Sequence, residues 1–438
     1  MDLLKDNVGK LYRKFFIASF GSALIACIYG LVDMAMVGQY HGPDGSAAMA
    51  VIAPIWNIIY SFGLLCGIGG SVFYAVARGE RDDVKAANGY FTSAFILGSL
   101  WALILWVLVW VCEEPLLRLF GANDALMPLC KEYMVAPKLT VPVYVFINLL
   151  SSFLRNDGDP GRATKAVIFG GIFNVFGDYF FVFTLDMGIK GAGIATAMGA
   201  SMSVLVMLTH FISKKNTLKF VKPLRILNSF KMISVNGFSS FIVDVAMGIA
   251  TMLFNRRVME YLGTDALAVY GVIVVVGTLV QCCSYGIGQA AQPVISRNFG
   301  AGLTDRIKTM LKYNIITAAV FGAIWTVLSM AMPQVFIKLF MTPTPEVLSI
   351  APGIIRIYAI SFVLLPFNIY STYYFQAIMR AKISLIASVA RGIVISGALI
   401  LLLPVAFGGN AVWWAMPITE AVVFVYSAVM MKKVKLSR

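Results

Sequence analysis

Twelve apolar runs, each long enough to cross a bilayer as a helix, follow one another along this chain of 438 residues. They fall at about 15–39, 47–77, 87–112, 125–153, 163–184 and 191–213, then at about 234–255, 266–296, 313–333, 347–377, 383–405 and 410–431. Inside lipid such a run must satisfy its own backbone, which restricts each one to an α-helix. Composition enters where the choice is between water and lipid: 59% of residues are hydrophobic, 13% are charged, and the mean hydropathy is +0.83. Soluble domains average about 25% charged residues, so a water-soluble fold of this sequence would leave broad apolar patches exposed. The expected fold class is an all-α membrane protein with twelve transmembrane helices, and a soluble enzyme is excluded.

The net charge of +14 raises the question of nucleic acid, and the distribution of charge answers it. With the N-terminus in the cytoplasm, 26 of the 35 Lys and Arg residues fall on the cytoplasmic side, Arg155 among them. Eight fall outside, and Arg391 lies within a span. By the positive-inside rule this predicts a multi-pass protein of the cell (plasma or inner) membrane with both termini cytoplasmic. The basic balance sets topology, and no nucleic-acid partner is expected. The first apolar run is too long for a cleavable signal and lacks a small-residue cleavage site, so it reads as a permanent span. The six cysteines show no metal-ligand spacing, and His41 and His210 are too far apart to form a metal site. No cofactor is expected.

The chain reads as two similar halves. The longest basic, polar connection, 214–231, lies near its midpoint. Gly42-Pro43-Asp44 precedes the second span and Gly263-Thr264-Asp265 the eighth, 221 positions later. Gly67 matches Gly288 and Gly79 matches Gly300 at the same offset. PLLRLF at 115–120 echoes PQVFIKLF at 333–340. Six spans is an even number, so both halves enter from one side. The expectation is two six-helix lobes related by a pseudo-two-fold along the membrane normal: an N-terminal lobe at 1–213, a cytoplasmic linker at 214–233 and a C-terminal lobe at 234–438. Internal repeats of this kind are common in secondary transporters.

Of 21 acidic residues, four sit well inside spans: Asp33, Asp178, Asp244 and Glu420. An ionised carboxylate at mid-bilayer costs about 2.5–3.5 kcal/mol on insertion scales, so each should face a polar interior or carry a proton. Tyr29 lies one turn before Asp33 and Asn174 one turn before Asp178, each pair on one helix face. A carboxylate beside a neutral hydrogen-bonding neighbour suits a dehydrated cation or an exchangeable proton. A polar contact between helices is the structural alternative. Glu420 and Arg391, on adjacent spans, suit an internal ion pair.

These residues belong to longer motifs. YGLVDMAMVGQYHG at 29–42, FLRNDGDPGRA at 153–163, GDYFFVFTLDMGIKGAGIAT at 177–196, GIGQAAQPVISRNFGAG at 286–302 and YFQAIMRAK at 374–382 occur in that order. Together they resemble the multidrug and toxic compound extrusion (MATE) transporters over essentially the whole chain. The resemblance implies export of small organic compounds, often cationic or amphipathic, by cation-coupled antiport with alternating access. It places a cation or proton site of the first half at Asp33, Asn174, Asp178 and Thr196, with Tyr29, Tyr133 and Asn148 around it. The second half departs from the pattern: span seven carries the shorter Asp244 where some members have Glu, and span ten has no acid. Asp244 could still attract a cationic substrate, and Gln281, Gln289 and Tyr373 are candidates for the cavity lining. With no acid on span ten to share a cation, a proton is favoured over sodium.

A lipid-linked precursor flippase of the same superfamily is the alternative. It would need a strongly cationic cavity, and the positive charge expected within the membrane is limited to Arg391, with Lys138 as a further candidate. A passive channel would need repeated filter patterns. No nucleophile–base pair, metal motif or GxxxxGK[ST] loop suggests an enzyme or direct ATP drive. The expected partners are small organic substrates and membrane lipid, with the protein a monomer. The glycines at 63, 67, 69 and 70 suit either close packing or a flexing helix.

Overall fold

The computed structural model describes residues 2–80, 83–223, 225–341 and 343–436, so Arg81 and Arg438 of the charge count lie outside the described residues. The helices long and apolar enough to cross a membrane are Val8–Gly42, Ala47–Glu80, Val84–Val111, Val135–Asn156, Pro160–Thr184, Gly188–Ile212, Ile226–Gly300, Thr304–Ala331, Pro345–Ala377, Ala381–Phe407 and Gly409–Lys433. The 75-residue run Ile226–Gly300 would be more than 100 Å long if straight, far beyond a bilayer of about 30 Å. It divides at Gly263, where φ is 81° and ψ is −170°. The first two spans meet in the same way at Gly42, with φ 63° and ψ −146°. Only glycine takes this conformation without strain, and the two kinks stand 221 positions apart. Twelve spans result among the described residues.

They form two six-helix lobes related by a pseudo-two-fold. Gly79 of the second span lies against the Arg297 carbonyl of the eighth, and Gly300 of the eighth against the Val76 carbonyl of the second. A shift of 221 positions carries 76 to 297 and 79 to 300, so each contact is the image of the other. The second span is the more enclosed of the N-terminal helices flanking the kink, and its glycines are packing devices. A methyl group on Gly63 would sit 2.9 Å from the Asn148 Cβ, one on Gly67 2.7 Å from the Asn148 carbonyl, and one on Gly70 2.6 Å from the Ala94 Cβ.

Apolar cores show where the lobes meet. One core joins Leu11, Phe15, Val72 and Val76 to Ile287, Val294 and Tyr374; another joins Leu65, Phe73 and Phe153 to Ile233. Both lie toward the end that carries the termini. At the other end, the core that holds Val37, Ile52, Val109 and Met127 draws, among the described residues, on the first half alone. The counterpart around Phe254, Tyr270 and Trp413 draws on the second half, with Leu64 and Ile68 from the middle of span two. The lobes are thus joined at the terminus-bearing end and separately packed at the other.

Helix ends differ from the apolar runs for local reasons. Span four was expected to run over 125–153, but a short helix, Met127–Tyr133, comes first and the span begins at Val135. Pro137 lacks the N–H that would bond the Tyr133 carbonyl, which breaks the helix there. Span seven begins at Ile226 rather than 234, because its first turns are helical yet half-polar. The two amphipathic echoes form helices Glu113–Leu119 and Pro333–Phe340. Asp83 caps the third span by accepting from the Ala86 amide at 2.9 Å, and Thr344 caps the tenth through the Val347 amide at 3.2 Å.

Candidate functional site

Four elements bring the first-half polar residues together. Asp33 stands on span one, Tyr133 ends the short helix Met127–Tyr133, Asn174 and Asp178 lie on span five, and Thr196 lies on span six. The Tyr133 hydroxyl donates to Asp33 Oδ2 at 3.0 Å, and the Thr196 hydroxyl reaches the same oxygen at 3.5 Å. Asn174 Nδ2 reaches Thr196 Oγ1 at 3.4 Å and Asp178 Oδ1 at 3.5 Å. A chain Asp33–Thr196–Asn174–Asp178 results, with both carboxylates buried. Asp33 Oδ1, Asp178 Oδ2 and Asn174 Oδ1 have no hydrogen-bond partner among the described residues. Buried acceptors without donors are rare, and this cluster holds three. Just past Asp178 the helix widens into a π-type turn, Tyr179–Thr184, a feature frequent at functional sites.

A cavity of about 480 Å³ lies beside this cluster, within the usual range for small organic ligands. Its wall is built from helical stripes. Span four contributes Tyr144, Asn148, Ser151, Ser152 and Arg155; span eight contributes Thr278, Gln281, Cys282, Tyr285 and Gln289. Steps of three and four residues put each set on one helix face. Tyr29, Asn174 and Thr196 also line the cavity, whereas Asp33 and Asp178 stand behind its wall. Asn174 and Thr196 therefore face the cavity while bonding to the acids.

The remaining expected residues separate. Asn148 faces the cavity but bonds neither aspartate; its Nδ2 donates to the Tyr144 carbonyl at 3.4 Å. Asp244 lines the cavity from span seven, its Oδ1 accepting from the Tyr285 hydroxyl, which in turn accepts from Gln281 Nε2. Asp244 Oδ2 has no partner among the described residues. Gln281 and Gln289 are lining residues, but Tyr373 is not: it packs behind Tyr285, ring centroids 6.4 Å apart, and against Gly288. Arg391 and Glu420 form the expected ion pair at 2.8 Å, and Asn368 of span ten donates to the same carboxylate at 2.6 Å.

Sequence reasoning missed Asn57, Tyr60, Tyr144 and Arg155. The first three are uncharged residues in apolar spans, and only the face each helix turns to the cavity distinguishes them. Arg155 corrects the charge reading. It was counted with the cytoplasmic basic residues, but its side chain is buried in the cavity wall. Lys138, the other candidate for embedded charge, instead pairs with Glu113 at 2.7 Å and stacks on Trp110.

The sequence profile of the MatE family matches residues 18–180 and 236–401, one stretch in each lobe. The multidrug export protein MepA of Staphylococcus haemolyticus is 24% identical over 425 residues, covering 95% of this chain and 92% of that protein. MepA of Staphylococcus aureus is 22% identical over the same length and shares. Among solved structures, the outward-facing conformation of a multidrug resistance MATE family transporter of the MOP superfamily matches with a TM-score of 0.89. It has 22% identity, and the match covers 98% of this chain and 97% of that one. A MOP superfamily transporter from Pyrococcus furiosus, described as having a binding pocket of reverse polarity, matches at 0.88 with 22% identity and the same coverage. The family profile spans most of both lobes, and the motif order and fold agree with it, so this chain belongs to the MatE family, the multidrug and toxic compound extrusion transporters.

Proposed function

We propose that this protein exports small organic compounds by alternating access, driven by inward movement of a cation through Asp33 and Asp178, with a proton favoured over sodium. One observation carries the reading: Asn174 and Thr196 belong to both the cavity wall and the acid cluster. Ion loading at the acids and cargo binding in the cavity therefore share side chains. The multidrug export of the MepA relatives supports the same reading.

The lobes, 1–213 and 234–438, act as the moving bodies about the linker 214–233. The terminus-bearing face is the cytoplasmic face of the cell membrane, as the bias of Lys and Arg argues. Contact between the lobes at that face then corresponds to an outward-open cavity. The acids load from outside. A proton supplies a donor to a cluster that otherwise holds bare acceptors, and neutralises a carboxylate in an apolar setting. Sodium would need several oxygens held in place, and Asp33, Asp178 and Asn174 offer unpartnered ones as well. The case for the proton rests on the second half, where span ten supplies Asn368 to Glu420 and no carboxylate to Asp244. For coupling, the loaded protein must favour a state that binds cargo less well than the unloaded one.

The test is efflux from proteoliposomes holding the purified protein, with pH clamped on both sides, no membrane potential and an inward sodium gradient. Transport should be absent there and appear when an inward proton gradient replaces the sodium gradient. Robust uphill efflux with sodium alone would reject the proton, and equal efflux with neither gradient would reject antiport altogether.

A further inference from the structure

We propose that the cavity contains an anion-recognising subsite at Arg155, so that its preferred cargo carries a carboxylate as well as a basic group. The proposal rests on the export reading above and narrows its substrate class. Arg155 closes the cavity-facing stripe of span four, one turn beyond Ser151 and Ser152. Helical side chains lean toward their own N-terminus, so an arginine in the last turn reaches back toward mid-membrane.

Arg155 is 6% exposed, and its Nε has no partner among the described residues. Among the described residues the ion pairs and side-chain hydrogen bonds leave this guanidinium out, whereas Arg391 has Glu420, Arg162 has Asp159 and Lys138 has Glu113. The two acids nearest in sequence are engaged elsewhere. Asp157 accepts from Tyr74 at 2.8 Å and from the Thr217 amide at 2.9 Å, and meets His210 at 2.7 Å. Asp159 holds Arg162 and Lys215. A guanidinium does not shed its proton in a protein, so this buried charge lacks its counter-ion.

Asp244 supplies the complement. It lines the same cavity from the other lobe, and among the described residues one of its carboxylate oxygens has no partner and it makes no ion pair with Arg155. One lobe thus offers an unpaired cation and the other an unpaired acceptor. A zwitterionic cargo satisfies both, because each of its charges exchanges water for a partner of opposite sign. The planar fork of Arg155 matches a carboxylate in two-point contact. A lipid diphosphate brings more negative charge than one guanidinium can meet and would face Asp244, so the subsite favours the carboxylate over the flippase cargo.

The test uses two xanthene dyes with the same delocalised cation, one with a free benzoate and one with that benzoate as its methyl ester. Binding to the purified full-length protein is read by fluorescence polarisation for wild type, Arg155→Gln, Arg155→Lys and Asp244→Asn. Wild type should bind both dyes. Arg155→Gln should lower the ratio of free-acid to ester affinity about tenfold or more, with Arg155→Lys intermediate, because a charged hydrogen-bonded contact is lost. Asp244→Asn should weaken both dyes. An unchanged ratio in Arg155→Gln, or wild type that binds the ester and rejects the acid, would overturn the subsite and leave the export reading standing. Failure of wild type to bind or export either dye would bring down the export reading and the subsite with it.

Discussion

Among the described residues Asp33 holds one well-formed hydrogen bond, from Tyr133 at 3.0 Å, while its contact with Thr196 is long at 3.5 Å and its second oxygen has none. Asp178 is less satisfied still, with a single 3.5 Å contact to Asn174. If the two acids carry the coupling ion as proposed, Asp33→Asn and Asp178→Asn should each abolish gradient-driven efflux while the protein still inserts and folds, because an amide cannot take up and release a proton there. Tyr133→Phe removes only a neutral donor and should slow efflux by about tenfold or less. Efflux assays at matched expression check all three, and full transport by either Asn variant would remove that residue from coupling. The central acids are legible in the sequence because a carboxylate inside twenty apolar residues has few innocent explanations. Tyr133 and Thr196 are not marked in that way, since hydroxyls within spans commonly bond their own backbone, as Thr140 does to Ala136; the resemblance to a family singles them out. Arg155 misleads for a related reason: an arginine at a span end looks like a topogenic charge, and only the direction of its side chain puts it in the cavity.

At the scale of elements, the connection between the lobes is a strap. Residues 213–223 form no helix, yet the chain is pinned along its length. Asp157 accepts from the Thr217 amide and hydroxyl, Asn88 Nδ2 donates to the Thr217 carbonyl at 3.1 Å, the Lys219 amide to Asn88 at 3.0 Å, and the Val221 amide to Thr92 at 3.0 Å. Burial works to raise the Asp159 pKa, but Lys215 and Arg162 outweigh it and hold the carboxyl below its ordinary value. A depressed acid contributes stability above its ordinary pKa and loses it only as pH falls through the folded value, so these pairs persist at neutral pH. Asp157→Ala would strip Tyr74, His210 and Thr217 of their acceptor and open the strap by roughly 2–3 kcal/mol. Trypsin should then cut after Lys214, Lys215 or Lys219 about tenfold faster or more, as followed by mass spectrometry; Lys222 precedes Pro223 and is not a trypsin site. An unchanged cleavage rate would mean the strap is held without Asp157. Charge and polarity mark this connection in the sequence, as apolar length marks the spans. Its order is not marked, because the groups that pin it come from spans two, three and four, far away along the chain.

The whole molecule is joined at the terminus-bearing face through backbone-to-backbone contacts that only glycine permits. Gly79 meets the Arg297 carbonyl, Gly300 the Val76 carbonyl, Gly69 the Ile233 carbonyl and Gly237 the Leu65 carbonyl. These glycine contacts involve no large side chain, although the apolar cores around Phe15, Phe73 and Tyr374 at the same face must separate with them if the lobes part. A methyl group at Gly79 or Gly300 would overlap a carbonyl on the opposite lobe, and backbone in a helix cannot yield as a side chain can. Overpacking of this kind costs about 1–3 kcal/mol, roughly a 5- to 150-fold shift in population, and separation of the lobes relieves it. Gly79→Val and Gly300→Val should therefore each favour opening at the terminus-bearing face. The two changes act on contacts of one seam related by the pseudo-two-fold, so their combination should be less than additive. A protein with Cys282 as its only cysteine reports the state, because that thiol lines the cavity. In sealed vesicles of either orientation, an impermeant maleimide should label it mainly from the face opposite the termini. Each glycine variant should raise labelling from the terminus-bearing face. Unchanged sidedness in both folded variants would show that the seam does not select the state, and tagged termini that react only from outside would reverse the orientation drawn from the charge bias.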